Sequence, residues 1–331
     1  MKMQVYIATK ETAITVKNRS FYIENKTIKK IISPKLVESI AITSNATINA
    51  SAIKLAATHD IPIYYYSYTG QLIAQLRSPS FLKHASLRYK QILFMNSKAG
   101  RKWALNQILL KTDLQLETLK RLLKEKPIVH IDIEKYYNSM IKKRASLTEV
   151  NLTKPISKSS IMGIEGGIAR NYYSALNIVL PQQYQFKKRS RMPGLDYFNV
   201  ALNYLYGMTY SGIGKALQAA GLDTFVGALH TTPYKESLVY DSIEPIRPII
   251  DRLLLNVCRE EQLKTKHFLA LEKGYWLSKE GKKLLIPQYT DYLQNRIKIK
   301  DKVTTIENHL YLWARKLKVI INTTSDVPTV L

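Results

Sequence analysis

Three stretches in the second half of the chain carry residues whose types and spacing suit chemistry. Glu165 lies between Gly163 and Gly166-Gly167, in a run that reads helical through Tyr173. Each glycine costs a helix roughly 1 kcal/mol relative to alanine, which a helix accepts where backbone or ligand must come close. The alternative is a surface carboxylate paired with Arg170 or a neighbour. His230 closes the run Gly221–His230, with Gly221 placed to end the preceding helix at Ala220. A hydrogen-bonded structural histidine is the alternative there. Asp241 and Glu244 stand three apart within Ser237–Pro248, so a helix would put both carboxylates on one face, where their repulsion invites a cation. Two solvated acids at a helix start fit that spacing equally. Pro245 pushes Glu244 away from helical angles, so the helix kinks there or restarts at Pro245.

Together, one imidazole and two or three carboxylates can hold Mg2+ or Mn2+, hard cations that favour oxygen, with Mn2+ the more tolerant of nitrogen. Such a site suits phosphodiester chemistry, and the charge agrees. Lys and Arg number 50 against 25 Asp and Glu, a net +25, which points to a polyanionic partner, nucleic acid first, and excludes a cationic main substrate. Residues 1–80 hold ten Lys/Arg and four Asp/Glu, leaving +19 for the rest. The tightest basic cluster is Lys187, Lys188, Arg189 and Arg191, closed by Pro193-Gly194. A solvated loop is one reading of it and contact with phosphates the other. Walker A, G-x-S-x-G, H-E-x-x-H and dinucleotide fingerprints do not occur. The 22 tyrosines permit a tyrosine nucleophile, but packing and base stacking explain them more simply.

These residues need a scaffold. With 331 residues, 46% hydrophobic, the chain can bury two cores and is not largely disordered. Strand-like segments fill the first eighty residues: Gln4–Ala8, Ala13–Lys17, Phe21–Glu24 and Leu36–Thr43, with a turn at Lys17-Asn18-Arg19. A helix over Ala52–His59, strands over Ile61–Tyr66 and Leu72–Leu76, and a turn at Thr69-Gly70 follow. Arg77–Ser80 reads as a linker. Beyond it the pattern is helical, with three- and four-residue apolar steps from Leu105 to Leu123 broken at Thr112-Asp113. Tyr197–Gly214, polar and glycine-broken, reads as a buried helix pair rather than a membrane span. Lys279-Glu280-Gly281 is expected to turn a hairpin within residues 274–285. The expected fold is α+β: a β-rich domain over 1–80 and a helical domain over 81–331. The single cysteine, Cys258, excludes a disulfide framework and a Cys-cluster zinc site. No apolar signal segment stands at the N-terminus, so a soluble cytoplasmic protein is expected. The tail Ser325–Leu331 is expected to be unstructured unless tied down.

In this order and spacing, Glu165–Tyr173, Gly221-Leu222-Asp223 leading to His230, and Ser237–Pro248 with Asp251-Arg252 resemble the CRISPR-associated integrase of spacer acquisition, the Cas-one family. The basic cluster leading into Asp196–Tyr210 and the segment Ala46–Leu76 are similar to that family as well, so the likeness spans essentially the whole chain. The resemblance implies a β-sandwich-like N-terminal domain with one helix, used for dimerisation, companion-subunit and DNA contact, and an all-α catalytic domain. It implies a prokaryotic, metal-dependent integrase and endonuclease with Glu165, His230 and Glu244 as metal ligands, Asp241 as a nearby catalytic acid, and Arg170 orienting Glu165 or touching phosphate. It implies a homodimer, two of which are bridged by a small companion subunit of the Cas-two family, with spacer precursor and CRISPR repeat and leader as DNA partners and no membrane. The implied chemistry is attack of a DNA 3′-hydroxyl on a repeat phosphodiester without a covalent protein intermediate. Lys187, Lys188, Arg189 and Arg191 would hold phosphates with little sequence selectivity.

Three other readings stand beside it. A structure-specific nuclease would cut DNA or RNA but not join it. A transposon-encoded relative would differ in its donor ends. A non-catalytic scaffold would use its acids only in ion pairs and be indifferent to chelation.

Overall fold

The computed structural model describes residues 3–67, 72–78, 85–125, 130–150, 157–299 and 301–324. The turn expected at Thr69-Gly70, the Pro79-Ser80 end of the linker, the 80/81 boundary and the tail Ser325–Leu331 lie outside them. The chain divides into two compact units, Met1–Ala85 and Ser86–Leu331.

The first unit holds two four-stranded sheets among its described residues. One has the order β1-β5-β7-β8, with β1 (Met3–Ile7), β5 (Val37–Ile42) and β7 (Ile63–Tyr66) parallel and β8 (Leu72–Leu76) antiparallel to β7. The other runs β4-β3-β2-β6, from β2 (Ala13–Lys17), β3 (Ser20–Glu24), β4 (Lys29–Ile32) and β6 (Thr47–Ile48). The β2–β3 hairpin turns at Asn18 and Arg19, both at positive φ (51° and 56°), the backbone sense that matches strand twist in tight hairpins. Alternation then buries Ile14, Phe21 and Ile23 with Ile40, Val37 and Ile63 in one core. Helix α1 (Ala50–Thr58) enters through Asn49, whose Oδ1 accepts the Ala52 N–H at 2.8 Å, and adds Ala52 and Ala56 to that core. This is the β-sandwich-like domain with one helix that the sequence leads one to expect.

The second unit is mainly helical: α2 (Ala85–Asn96), α3 (Lys98–Glu125), α4 (His130–Thr148), α5 (Ser157–Val179), α6 (Tyr197–Ala219), α7 (Ser237–Ile243) and α8 (Arg247–Arg259). After them come α9 (Lys279–Leu293) and α10 (Ile306–Thr323). α5 packs against α3 and α4, while α6 packs against α7, α8 and α10. Among the described residues no helix is long and apolar enough to cross a membrane.

α3 runs through the gap in apolar stepping at Thr112-Asp113 and starts after Ser97, whose Oγ accepts the Gly100 N–H at 3.1 Å. Three sequence expectations are corrected here. α6 is one helix, not a pair. Asp196 caps its start by accepting the Asn199 N–H at 2.8 Å; Gly212 and Gly214 sit against Leu310 and Val239, and Gly207 has nothing within 4 Å of an added Cβ. It ends as expected beside Gly221, whose φ of +84° lets Leu222 N–H reach the Leu217 carbonyl at 3.0 Å.

The hairpin expected within 274–285 lies earlier, as β9 (Phe268–Ala270) and β10 (Tyr275–Leu277), turning through Gly274 at φ +94°. Lys279-Glu280-Gly281 is instead the first turn of α9, because Ser278 Oγ accepts the Gly281 N–H at 3.1 Å as an N-cap and Glu280 suits the positive helix end. Finally, the domain is not helical apart from that hairpin: β11 (Arg296–Ile299) and β12 (Lys302–Thr305) form a second one.

Candidate active site

Glu165 sits midway along α5 and turns toward α3, where Lys111 Nζ donates to its Oε1. The same ammonium donates to Glu244 Oε2 at 2.6 Å. Carboxylates from distant parts of the chain therefore converge on one cation, with the Lys111 and Glu244 side chains each 7% exposed and Glu165 25%. Arg247 Nε holds the other Glu244 oxygen, Oε1, at 3.0 Å. This guanidinium is itself fixed: it donates to Tyr210 Oη at 2.6 Å and lies over the Tyr206 ring at 4.7 Å. Burial alone would raise the Glu244 pKa, but Arg247 and Lys111 outweigh it and hold the carboxyl at about 2. Burial works against the Lys111 charge, yet Glu244 and Glu165 keep its pKa above the ordinary lysine value.

His230 and Asp241 form the neighbouring part. Asp241, in α7 with no side-chain exposure, accepts the Ala228 and Leu229 N–H groups on Oδ2 at 2.6 and 3.1 Å. Its Oδ1 meets the His230 backbone N–H at 3.1 Å and ring Nδ1 at 2.7 Å. An ionised carboxylate only accepts, so Nδ1 carries the proton and Nε2 presents a lone pair. Gly227 makes the wrap possible: a Cβ there would stand 2.8 Å from Asp241 Oδ2 and 2.7 Å from the Ser237 carbonyl carbon. His230 remains 31% exposed in its side chain.

Asp241 and Glu244 do not share a cation, contrary to the reading from their spacing. α7 stops at Ile243, Glu244 keeps helical angles (φ −50°, ψ −47°) ahead of Pro245, and α8 starts afresh at Arg247. One acid is spent on backbone N–H groups and the other on Lys111 and Arg247, so the repulsion never arises. Glu165, for its part, is paired with Lys111 rather than Arg170, which is exposed on α5. Of its glycines, Gly163 and Gly166 have nothing within 4 Å of an added Cβ, so packing does not require them.

The basic cluster divides. Lys187, Lys188 and Arg191 are exposed. Arg189 turns inward, donating to Ser190 O, to Asn199 Oδ1 at 2.7 Å and to Asn203 Oδ1 at 2.7 Å, and lying over the Tyr173 and Tyr206 rings. Its donors pin the loop to α6. Behind it Tyr206 donates to Asp251 Oδ1 and meets Tyr173 Oη at 2.9 Å.

Among the described residues no three His, Cys, Asp or Glu side chains are grouped closely enough to hold a metal ion. The reason is visible: Lys111 fills the point between Glu165 and Glu244. The donor chemistry nonetheless fits a hard divalent cation, since two carboxylates already converge on one positive charge and His230 Nε2 is left as a nitrogen donor.

Lys111 is the residue that sequence reading missed. Stepping by threes and fours, Ala104, Ile108, Lys111, Gln115, Thr118 and Leu122 make one buried face of α3. A lysine on such a face demands a buried acid, and that was the available signal. Arg247, beside Pro248, carried no comparable mark.

A model of the family described as "CRISPR associated protein Cas1" matches residues 5–291. The CRISPR-associated endonuclease Cas1 1 of Archaeoglobus fulgidus is 25% identical over 326 residues, 94% of this chain and 92% of that protein. Among solved structures, a casposase bound to integration product superposes with a TM-score of 0.80 at 22% identity, covering 98% of this chain and 91% of that one. A chain of a Cas6-RT-Cas1–Cas2 complex also gives 0.80 at 22% identity, over 98% of this chain and 36% of that one.

Proposed function

The chain belongs to the Cas1 family of CRISPR-associated proteins, and from that premise we propose that it is a DNA integrase and endonuclease of spacer acquisition that depends on Mg2+ or Mn2+. What carries the proposal beyond family membership is the convergence of Glu165 and Glu244 on one buried cation beside an oriented His230.

A DNA 3′-hydroxyl attacks a repeat phosphodiester. The new P–O bond forms as the bond to the leaving 3′-oxygen breaks, and the proton of the attacking hydroxyl passes to the leaving oxygen by way of solvent. One phosphodiester replaces another, so no energy source is needed; water in place of the hydroxyl gives nicking at the same site. A divalent metal there supplies charge stabilisation at the phosphoryl oxygen and acidifies the attacking hydroxyl. Glu165, Glu244 and His230 Nε2 would hold it. Asp241 keeps the imidazole in the tautomer that leaves Nε2 free. Arg247 holds Glu244 in place and ionised, and the Tyr206–Tyr210 rings fix Arg247. Exposed Lys187, Lys188, Arg191 and Arg170 suit backbone phosphates, a contact that positions DNA and selects little sequence. Its partners are a second copy of the chain and a companion subunit of the Cas2 family bridging two dimers.

The test is an assay that separates joined from cleaved products, with the chain and its Cas2-family companion subunit, a labelled DNA fragment, a repeat-bearing plasmid and Mg2+ or Mn2+. The wild-type protein joins the fragment, and chelation stops it. Metal-dependent joining that survives in Glu165→Ala or His230→Ala defeats the site assignment, and cleavage with no joined product by the wild type leaves a nuclease.

A further inference from the structure

Lys111 stands where a divalent ion would be held, and its two neighbours on Glu244 differ in kind. Glu244 Oε1 is bound by Arg247, which Tyr210 Oη and the Tyr206 ring hold rigidly. Its Oε2 is bound by an ammonium on a flexible four-carbon stem, shared with Glu165. The first cation is built in; the second is removable. Two carboxylates facing each other with nothing between them, Glu244 buried and Glu165 a quarter exposed, repel, so the site needs a positive charge whether or not metal is present. An ammonium and a divalent ion cannot both occupy the space between the same two oxygens, since Mg2+ binds carboxylate oxygens at about 2.0–2.1 Å. Glu165, the more exposed of the two acids, leaves the solvent side from which an ion can enter.

We propose that Lys111 is an internal counter-ion that holds Glu165 and Glu244 together in the metal-free protein and is displaced when the divalent cation binds. It is a positioning residue, acting through the two carboxylates. This rests on the metal-dependent reading above and adds a consequence: the protein weakens its own metal affinity in exchange for a site that stays assembled without metal.

The experiment measures Mn2+ binding by calorimetry on the full chain without DNA. Lys111→Met, similar in length and uncharged, should bind Mn2+ at least about tenfold more tightly than wild type, on the scale of changes around metal ligands. Without metal it should melt at a lower temperature, and saturating Mn2+ should raise its midpoint more than it raises that of the wild type. Lys111→Arg, which keeps the charge, should bind like wild type. In the unaltered protein the Lys111 Nζ resonance should shift when Mg2+ is added, a readout that needs no variant. Equal or weaker Mn2+ binding by Lys111→Met, or a Lys111 resonance that ignores saturating Mg2+, overturns the inference. If Glu165→Gln abolishes Mn2+ binding while Lys111→Met fails to tighten it, the metal site stands and only the counter-ion role falls. If neither wild type nor Lys111→Met binds Mn2+, both fall.

Discussion

Asp241 holds His230 at two points with a single oxygen: Oδ1 meets the backbone N–H at 3.1 Å and ring Nδ1 at 2.7 Å. The histidine is thereby fixed in position, ring orientation and tautomer at once. Asp241→Asn offers one oxygen and an NH2 where four acceptor contacts were made, so an N–H must face an N–H. We expect a loss of about 2–4 kcal/mol in denaturant unfolding and Mn2+ affinity reduced roughly 10–100-fold. An unchanged midpoint would show that the loop does not depend on this carboxylate.

His230→Ala should separate stability from chemistry. The ring is partly exposed and bears no packing load comparable to a core residue. Its unfolding free energy should change by no more than about 1 kcal/mol. Joining should fall at least about 100-fold, since losing a ligand costs no less than losing an outer partner of one. Product gels and a thermal melt on the same preparation check both halves.

Arg189 and its lysine neighbours should behave in opposite ways. Arg189→Ala strips donors from Asn199 and Asn203 and should cost about 2 kcal/mol of stability. Lys187→Ala and Lys188→Ala, both exposed, should leave stability within about 0.5 kcal/mol while each lowers the salt dependence of DNA binding by about one unit of slope. Filter binding across a salt series reads the slope.

Stability should fall as pH rises through the range where Asp251 ionises. Burial pushes this carboxyl from its ordinary 3.8 up to about 6, against the Tyr206 hydrogen bond and the charge of Arg189, and its Oδ2 has no hydrogen-bond partner among the described residues. Between those values the folded protein keeps a proton that the unfolded chain has released, so the folded state is penalised by up to about 3 kcal/mol above pH 6. Asp251→Asn, still able to accept from Tyr206, should erase that loss in denaturant titrations from acidic to neutral pH. Glu244 acts with the opposite sign: held at about 2 against an ordinary 4.5, it stabilises above 4.5 and that contribution disappears as pH falls toward 2.

How much of this was legible beforehand differs by residue. The β2–β3 hairpin was readable because Lys17-Asn18-Arg19 interrupts two runs rich in β-branched and aromatic residues, and the end of α6 because only glycine takes the Gly221 backbone cheaply. Glu165, His230 and Glu244 could be singled out through the resemblance of their motifs to the family, since the local neighbours of each admit another reading. Their partners could not. Asp241 and Glu244 share a spacing that suggests one destination, and only the chain reversal between Gly227 and Ser237 sends them to different ones. The Ser278 cap was overlooked because a Lys-Glu-Gly turn and a capped first helical turn have the same composition. Arg189 belongs to a run of like charges, and nothing local tells which member faces Asn199.

The wrap of Asp241 around residues 228–230 also divides the site mechanically. His230, Asp241 and Glu244 belong to one short cassette, clasped by its own backbone, whereas Glu165 arrives on the separate long rod of α5. The two carboxylates that meet at Lys111 are therefore carried by separate elements, and only the His230–Asp241 part is closed by its own backbone.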